Sequence, residues 1–108
     1  MAGPVLSRQT LEALDRLATL IRLGGIRRRW TTSELADRLG VTRKTVYRIE
    51  HAEPGVAAGT MFEAAKLVGV PLFGEDVATR ESFRAERRNE LALLPDVVRA
   101  PAGDDYDF

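Results

Sequence analysis

The sequence predicts an all-α chain of five helices followed by a mobile C-terminal tail. Three observations carry this expectation. Apolar residues recur at three- and four-residue steps, good cap residues stand ahead of those runs, and glycine or proline stands behind them. With 108 residues, about 44% of them hydrophobic, the chain can bury one modest core but is too short for two independent domains. The expected organisation is therefore one domain over residues 1–94 and a flexible acidic tail over 95–108.

Helix 1 is expected from Thr10 to about Arg29, with Leu11, Leu14, Leu17, Ala18 and Ile21 on one stripe. Gly24 and Gly25 weaken its last turn, each by about 1 kcal/mol relative to alanine, so a bent or frayed end is expected there. Thr31 and Glu34 form a capping box that opens helix 2 at about Thr32. It buries Leu35, Ala36 and Leu39 and stops at Gly40. Thr42 caps a short helix 3 from Arg43 to about Glu50, with Val46 and Ile49 facing inward. The segment EPGVAAG reads as a loop, and Thr60 with Glu63 repeats the capping box ahead of helix 4, Met61 to Val68. Helix 5 runs from about Val77 to Leu94 with Phe83, Leu91 and Leu94 on one side, and Pro95 ends it. The final stretch, DVVRAPAGDDYDF, has almost no periodicity and reads as mobile.

Composition narrows the function classes. The absence of cysteine removes disulfide scaffolds, thiolate metal sites and cysteine nucleophiles. No basic run followed by an apolar stretch opens the chain, and nowhere do 18 apolar residues follow one another, so a cytoplasmic protein with no membrane contact is expected. The lone His51 has no second ligand at metal spacing, and the carboxylates show no paired arrangement. Neither an enzyme nor a metal or cofactor site is expected.

The net charge of zero conceals an asymmetry. Up to His51, ten Lys and Arg face five Asp and Glu; beyond it, six face eleven. A basic front half suits a polyanion, whereas an acidic rear suits solubility or a basic partner.

The segment TTSELADRLGVTRKTVYRIE resembles the helix-turn-helix of the lambda-repressor-like family, which contains phage repressors and DNA-binding antitoxins. Ala36 stands where two helices would cross, Gly40 at the turn, Val41 beneath it, and Leu35, Val46 and Ile49 in the shared core. The resemblance implies a five-helix lambda-repressor-like domain that binds double-stranded operator DNA. If Val46 and Ile49 are buried, helix 3 turns Arg43, Lys44, Tyr47 and Arg48 outward. Arginine pairs with guanine O6 and N7, lysine reaches the same atoms, and tyrosine packs on a thymine methyl or bonds a phosphate. By resemblance, the base-reading role falls to Arg43, Lys44 and Arg48. Thr32 and Thr42 lie at or beside helix starts, where hydroxyls and free amides hold phosphate oxygens, or serve as plain caps. Arg27, Arg28 and Arg29 either track the DNA backbone or form a generic basic surface, and Trp30 reads as core. Family members often pair the glutamate at the Glu50 position with an arginine on helix 1. Gly25 stands there, leaving Glu50 to Arg22, to Arg28 or to solvent. The resemblance also implies a symmetric homodimer on a palindromic site, with helix 5 and Asp96 to Arg99 as candidate dimer contacts.

Beyond the motif, PGVAAGTMFEAAKLVGVPLF, a charged fifth helix ending in ALLPDVVR, and the tail DDYDF resemble antitoxins of the HipB type. These repress their own operon and bind a HipA-type serine/threonine kinase toxin. The resemblance implies partner-binding residues in the tail, Tyr106 and above all Phe108, as an aromatic anchor for a pocket of the kinase; a merely solubilising tail is the alternative. Two rival functions are a stand-alone dimeric repressor of the phage type and a protein-interaction module without DNA binding. The Arg43, Lys44 and Arg48 face opposes the second.

Overall fold

The computed structural model describes residues 3–72 and 76–95. Among these the chain is all-α, with five helices and no strand: α1 (Arg8–Arg27), α2 (Thr32–Leu39), α3 (Arg43–Glu50), α4 (Ala58–Leu67) and α5 (Val77–Leu93). Contacts group the chain into two compact units divided after Leu72, the first holding α1 to α4 and the second holding α5.

In the first unit α2 packs on α3, α1 packs on both α3 and α4, and α2 also meets α4. Their shared core is a single cluster of Ile21, Leu35, Ala36, Val46, Ile49, Met61, Ala64, Ala65 and Val68. Leu17, Trp30, Leu39, Val41, Val56, Val70 and Leu72 close around it. Ala36 is 3% exposed within this cluster, which leaves no room for a larger side chain.

Local chemistry explains most of the boundaries. Ser7 starts α1 two residues before the predicted Thr10, its hydroxyl accepting from the Thr10 amide at 3.2 Å. The capping box of α2 is complete: Thr31 Oγ1 accepts from the Glu34 amide at 3.1 Å, and Glu34 Oε1 accepts from the Thr31 amide at 2.9 Å. That hydrogen bond from the Thr31 backbone, aided by its hydroxyl, holds the Glu34 carboxyl below its ordinary pKa. Thr42 caps α3 through the Thr45 amide at 3.2 Å, and Asp76 caps α5 through the Thr79 amide at 2.7 Å.

All four helices of the first unit close the same way. An amide five residues on bonds back to the last turn: Trp30 to the Gly25 carbonyl, Val41 to Ala36, Glu53 to Arg48 and Val70 to Ala65, at 2.8–3.0 Å. Each closure requires one left-handed residue, and Gly40 supplies it after α2 at φ 77°. After α1 and α3 the residues are Arg29 at φ 60° and Ala52 at φ 54°, side chains that carry a backbone cost in that conformation.

Three expectations are corrected. The predicted capping box of Thr60 and Glu63 does not form; α4 begins at Ala58, with Ala57 as a cap that makes no side-chain hydrogen bond. Val56 and Met61, just before the cap and in the second turn, are both drawn to the core, the arrangement of a hydrophobic staple that sets the entry of this helix. The end of α1 is not frayed at Gly24 and Gly25: both are buried inside a continuous helix. A Cβ on Gly24 would stand 2.7 Å from the Cβ, Cγ2 and carbonyl oxygen of Val68, so the glycine is what lets α4 approach α1. Finally, Leu11 is 45% exposed, because the first turns of α1 extend past the buried cluster.

In the second unit no residue of α5 is buried, and Phe83, Leu91 and Leu94 are all more than half exposed. Arg87 stands over the Phe83 ring at 5.1 Å and pairs with Glu90 at 2.6 Å. From residue 96 onward the predicted tail, with Tyr106, Phe108 and the candidate dimer segment Asp96 to Arg99, lies outside the described residues.

Candidate nucleic-acid interface

The functional surface follows from which side of α3 the core consumes. Val46 and Ile49 are both 0% exposed, and the other side carries Arg43, Lys44, Tyr47 and Arg48, all exposed. The structure thus brings these four predicted residues together on one face. The Thr42 hydroxyl is engaged as the cap and also shares a hydrogen bond with Thr45 Oγ1 at 3.1 Å. Thr32 is the first residue of α2, on a separate helix start, and the capping at that end falls to its neighbour Thr31.

The cations of this face are not equivalent. Arg48 pairs with Glu53 at 3.6 Å, both side chains about half exposed. An exposed pair of this kind contributes little, about 0–1 kcal/mol, and yields readily to a phosphate or a base. Arg43 and Lys44 make no ion pair among the described residues and project from the first turn of α3, where the free backbone amides also favour anions.

Tyr47 is 55% exposed, with its ring stacked on His51 at a centroid separation of 3.8 Å and 23° between planes. His51 caps the C-terminus of α3, and its Nδ1 meets the Tyr47 carbonyl at 2.8 Å. In the sequence His51 stands out only for its lack of a second metal ligand, whereas in the structure it is exposed beside Tyr47 at the end of this helix. The signal was present in the spacing, since 43, 47 and 51 fall at steps of four.

Two flanking expectations resolve differently. Arg28 is engaged within the fold: its Nη1 donates to the Val68 carbonyl, bracing the C-terminus of α4. Trp30 is half-buried against the core, as predicted, with the Arg38 guanidinium over its ring at 4.3 Å. Glu50, left without its helix 1 partner, is half-buried beside a cleft of about 200 Å³ shared with Arg22, Gly25, Trp30 and Thr32. Among the described residues it forms no ion pair, with Arg22 or any other cation. No group of three His, Asp or Glu among the described residues is placed to hold a metal ion, and no described helix is long and apolar enough to cross a membrane.

Comparison with known families agrees with this geometry. Residues 10–58 match the family model of the homeodomain-like domain, a span a little under half the chain that takes in α2, α3 and nearly all of α1. The match supports a helix-turn-helix domain of DNA-binding type. No curated protein and no solved structure matches the chain.

Proposed function

We propose that this chain is a sequence-specific operator-binding repressor that acts as a homodimer in the cytoplasm, with α3 as the recognition helix. The observation that carries the reading is the division of α3 between a fully buried Val46 and Ile49 edge and an exposed Arg43, Lys44, Tyr47 and Arg48 face. Arg43 and Lys44 read base edges from the first turn, Arg48 joins them by exchanging Glu53 for DNA, and Tyr47 packs on a thymine methyl or bonds a phosphate. Thr32 and Thr42 present their helix starts to phosphates on either side. Because one such helix reads only a few base pairs, two copies about 34 Å apart on a palindrome supply the remaining specificity.

Arg43→Ala is expected to weaken binding to the preferred duplex by about 1–3 kcal/mol and to relax selection at one position per half-site. Selection from a randomised duplex pool, followed by fluorescence anisotropy, measures both. Identical selection profiles for the wild type and the variant would reject a base-reading role for Arg43.

The proposal extends to an antitoxin of the HipB type that represses its own operon and neutralises a HipA-type serine/threonine kinase. Supporting it are the resemblance of the α4 and α5 segments to that branch and the acidic, aromatic-ended sequence DDYDF. In this role Phe108, aided by Tyr106, anchors in the kinase, while Asp104, Asp105 and Asp107 steer toward a basic surface. Burying one such aromatic contributes about 1.5–3 kcal/mol, so a version ending at Gly103 is expected to bind the kinase about 10- to 200-fold more weakly and the operator equally well. Equal kinase binding and neutralisation by both versions would leave the stand-alone repressor as the better reading.

A further inference from the structure

His51 lies at the C-terminal end of α3 with its side chain exposed and its ring fixed at two points, by the stack on Tyr47 at 3.8 Å and by Nδ1 against the Tyr47 carbonyl at 2.8 Å. A carbonyl oxygen only accepts, so Nδ1 must carry the hydrogen. In the neutral ring the proton is therefore on Nδ1, and Nε2, on the opposite edge of the ring, holds an unshared lone pair. A second proton can enter only at Nε2, turning an acceptor into a cationic donor.

Position along the helix gives this switch a target. Arg43, Tyr47 and His51 share one face at steps of four, and a rise of about 1.5 Å per residue places His51 about 12 Å along the axis from Arg43. The DNA major groove is about 8.5 Å deep. With the Arg43 end at the base edges, the His51 end comes level with the phosphates that wall the groove. The neighbouring charges are Arg48, paired with Glu53 at 3.6 Å, and the half-buried Glu50 on the same helix.

Building on the DNA-binding reading above, we propose that His51 is a phosphate contact that takes up a proton from solvent when DNA binds. Its Nε2–H donates to a phosphate oxygen while its Nδ1–H stays on the Tyr47 carbonyl. The Tyr47 ring, held by the stack, fixes the imidazole plane against the helix end, so that residue acts here as a positioning group as well as a contact.

The test uses the full chain and a labelled duplex selected by that chain from a random pool. Affinity is measured between about pH 6 and 8.5 at constant ionic strength, above the range in which carboxylates ordinarily titrate. The wild type is expected to lose affinity as pH rises, with a slope approaching tenfold per pH unit per chain, the signature of one linked proton. His51→Gln, which keeps a polar side chain but cannot charge, is expected to flatten that slope. At about pH 6 it is also expected to reduce the salt dependence by about one phosphate contact per chain. Circular dichroism of the variant confirms the fold, since His51 lies outside the core. Wild-type binding with the same pH and salt slopes in His51→Gln would overturn this inference alone. Absence of duplex binding by the wild type at every pH would overturn the DNA-binding reading and this inference with it.

Discussion

Ile49→Ala is expected to remove about 2–5 kcal/mol of stability, enough to bring a domain near the low end of the usual 5–15 kcal/mol close to its unfolding midpoint. Ile49 is 0% exposed and sits in the single buried cluster where α1, α2, α3 and α4 meet. Removing its outer carbons takes apolar surface from several helices at once and leaves a cavity that short, closely capped helices cannot collapse to fill. The control comes from the same chain: Leu11→Ala removes an equally large side chain that is 45% exposed, and is expected to change stability by no more than about 0.5 kcal/mol. Urea unfolding of both variants measures the difference as a shift in midpoint at constant slope. Similar shifts for the two would mean that the core lies elsewhere.

Gly24→Leu is the second large effect, and its smaller relative, Gly24→Ala, has an instructive sign. In an exposed helix interior, exchanging glycine for alanine gains about 1 kcal/mol. Here the added Cβ would lie 2.7 Å from Val68 Cβ, Cγ2 and carbonyl oxygen. One of those atoms is backbone, and it is also the acceptor held by Arg28 Nη1. Relief requires α4 to move off α1, so Gly24→Ala is expected to lose about 1–2 kcal/mol net, and Gly24→Leu about 3 kcal/mol or more. Gly25, its neighbour, has nothing within 4 Å of the same added atom, and Gly25→Ala is expected to gain about 0.5–1 kcal/mol. Thermal unfolding should move the two alanine variants in opposite directions, by about 4–8 °C per kcal/mol for a domain of this length. Shifts of the same sign would show that the close approach of α1 and α4 is not rigid.

His51 shows how a site residue can be visible in spacing and still be missed. The identities of Arg43, Lys44, Tyr47 and Arg48 needed only the knowledge that Val46 and Ile49 face inward, and the structure places all four on the opposite side. The ring of His51 joins them because the chain keeps near-helical geometry for one residue past α3 before Ala52 turns left-handed. Nothing in the identity of Ala52 announces that turn, whereas Gly40 announces the equivalent turn after α2.

What the sequence by itself determined depends on groups within about four residues of one another. It set the capping box of Thr31 and Glu34, the Thr42 cap, the stop at Gly40, and hence the bounds of α2 and α3 and the outward face of the latter. These features rest on hydrogen bonds and periodicities that close locally, so they can be read without knowing what lies across the core. Tertiary structure alone decided what depends on residues far apart in the chain. Arg28 and Val68 are separated by 40 positions, yet their hydrogen bond makes Arg28 a brace for α4. The Gly24 approach to Val68 likewise turns two helix-weakening glycines into a packing seat and an open neighbour. The start of α4 at Ala58 follows the same rule: the core drew in Val56 and Met61, and that burial outweighed the Thr60 and Glu63 signal, which offered only an exposed local hydrogen bond.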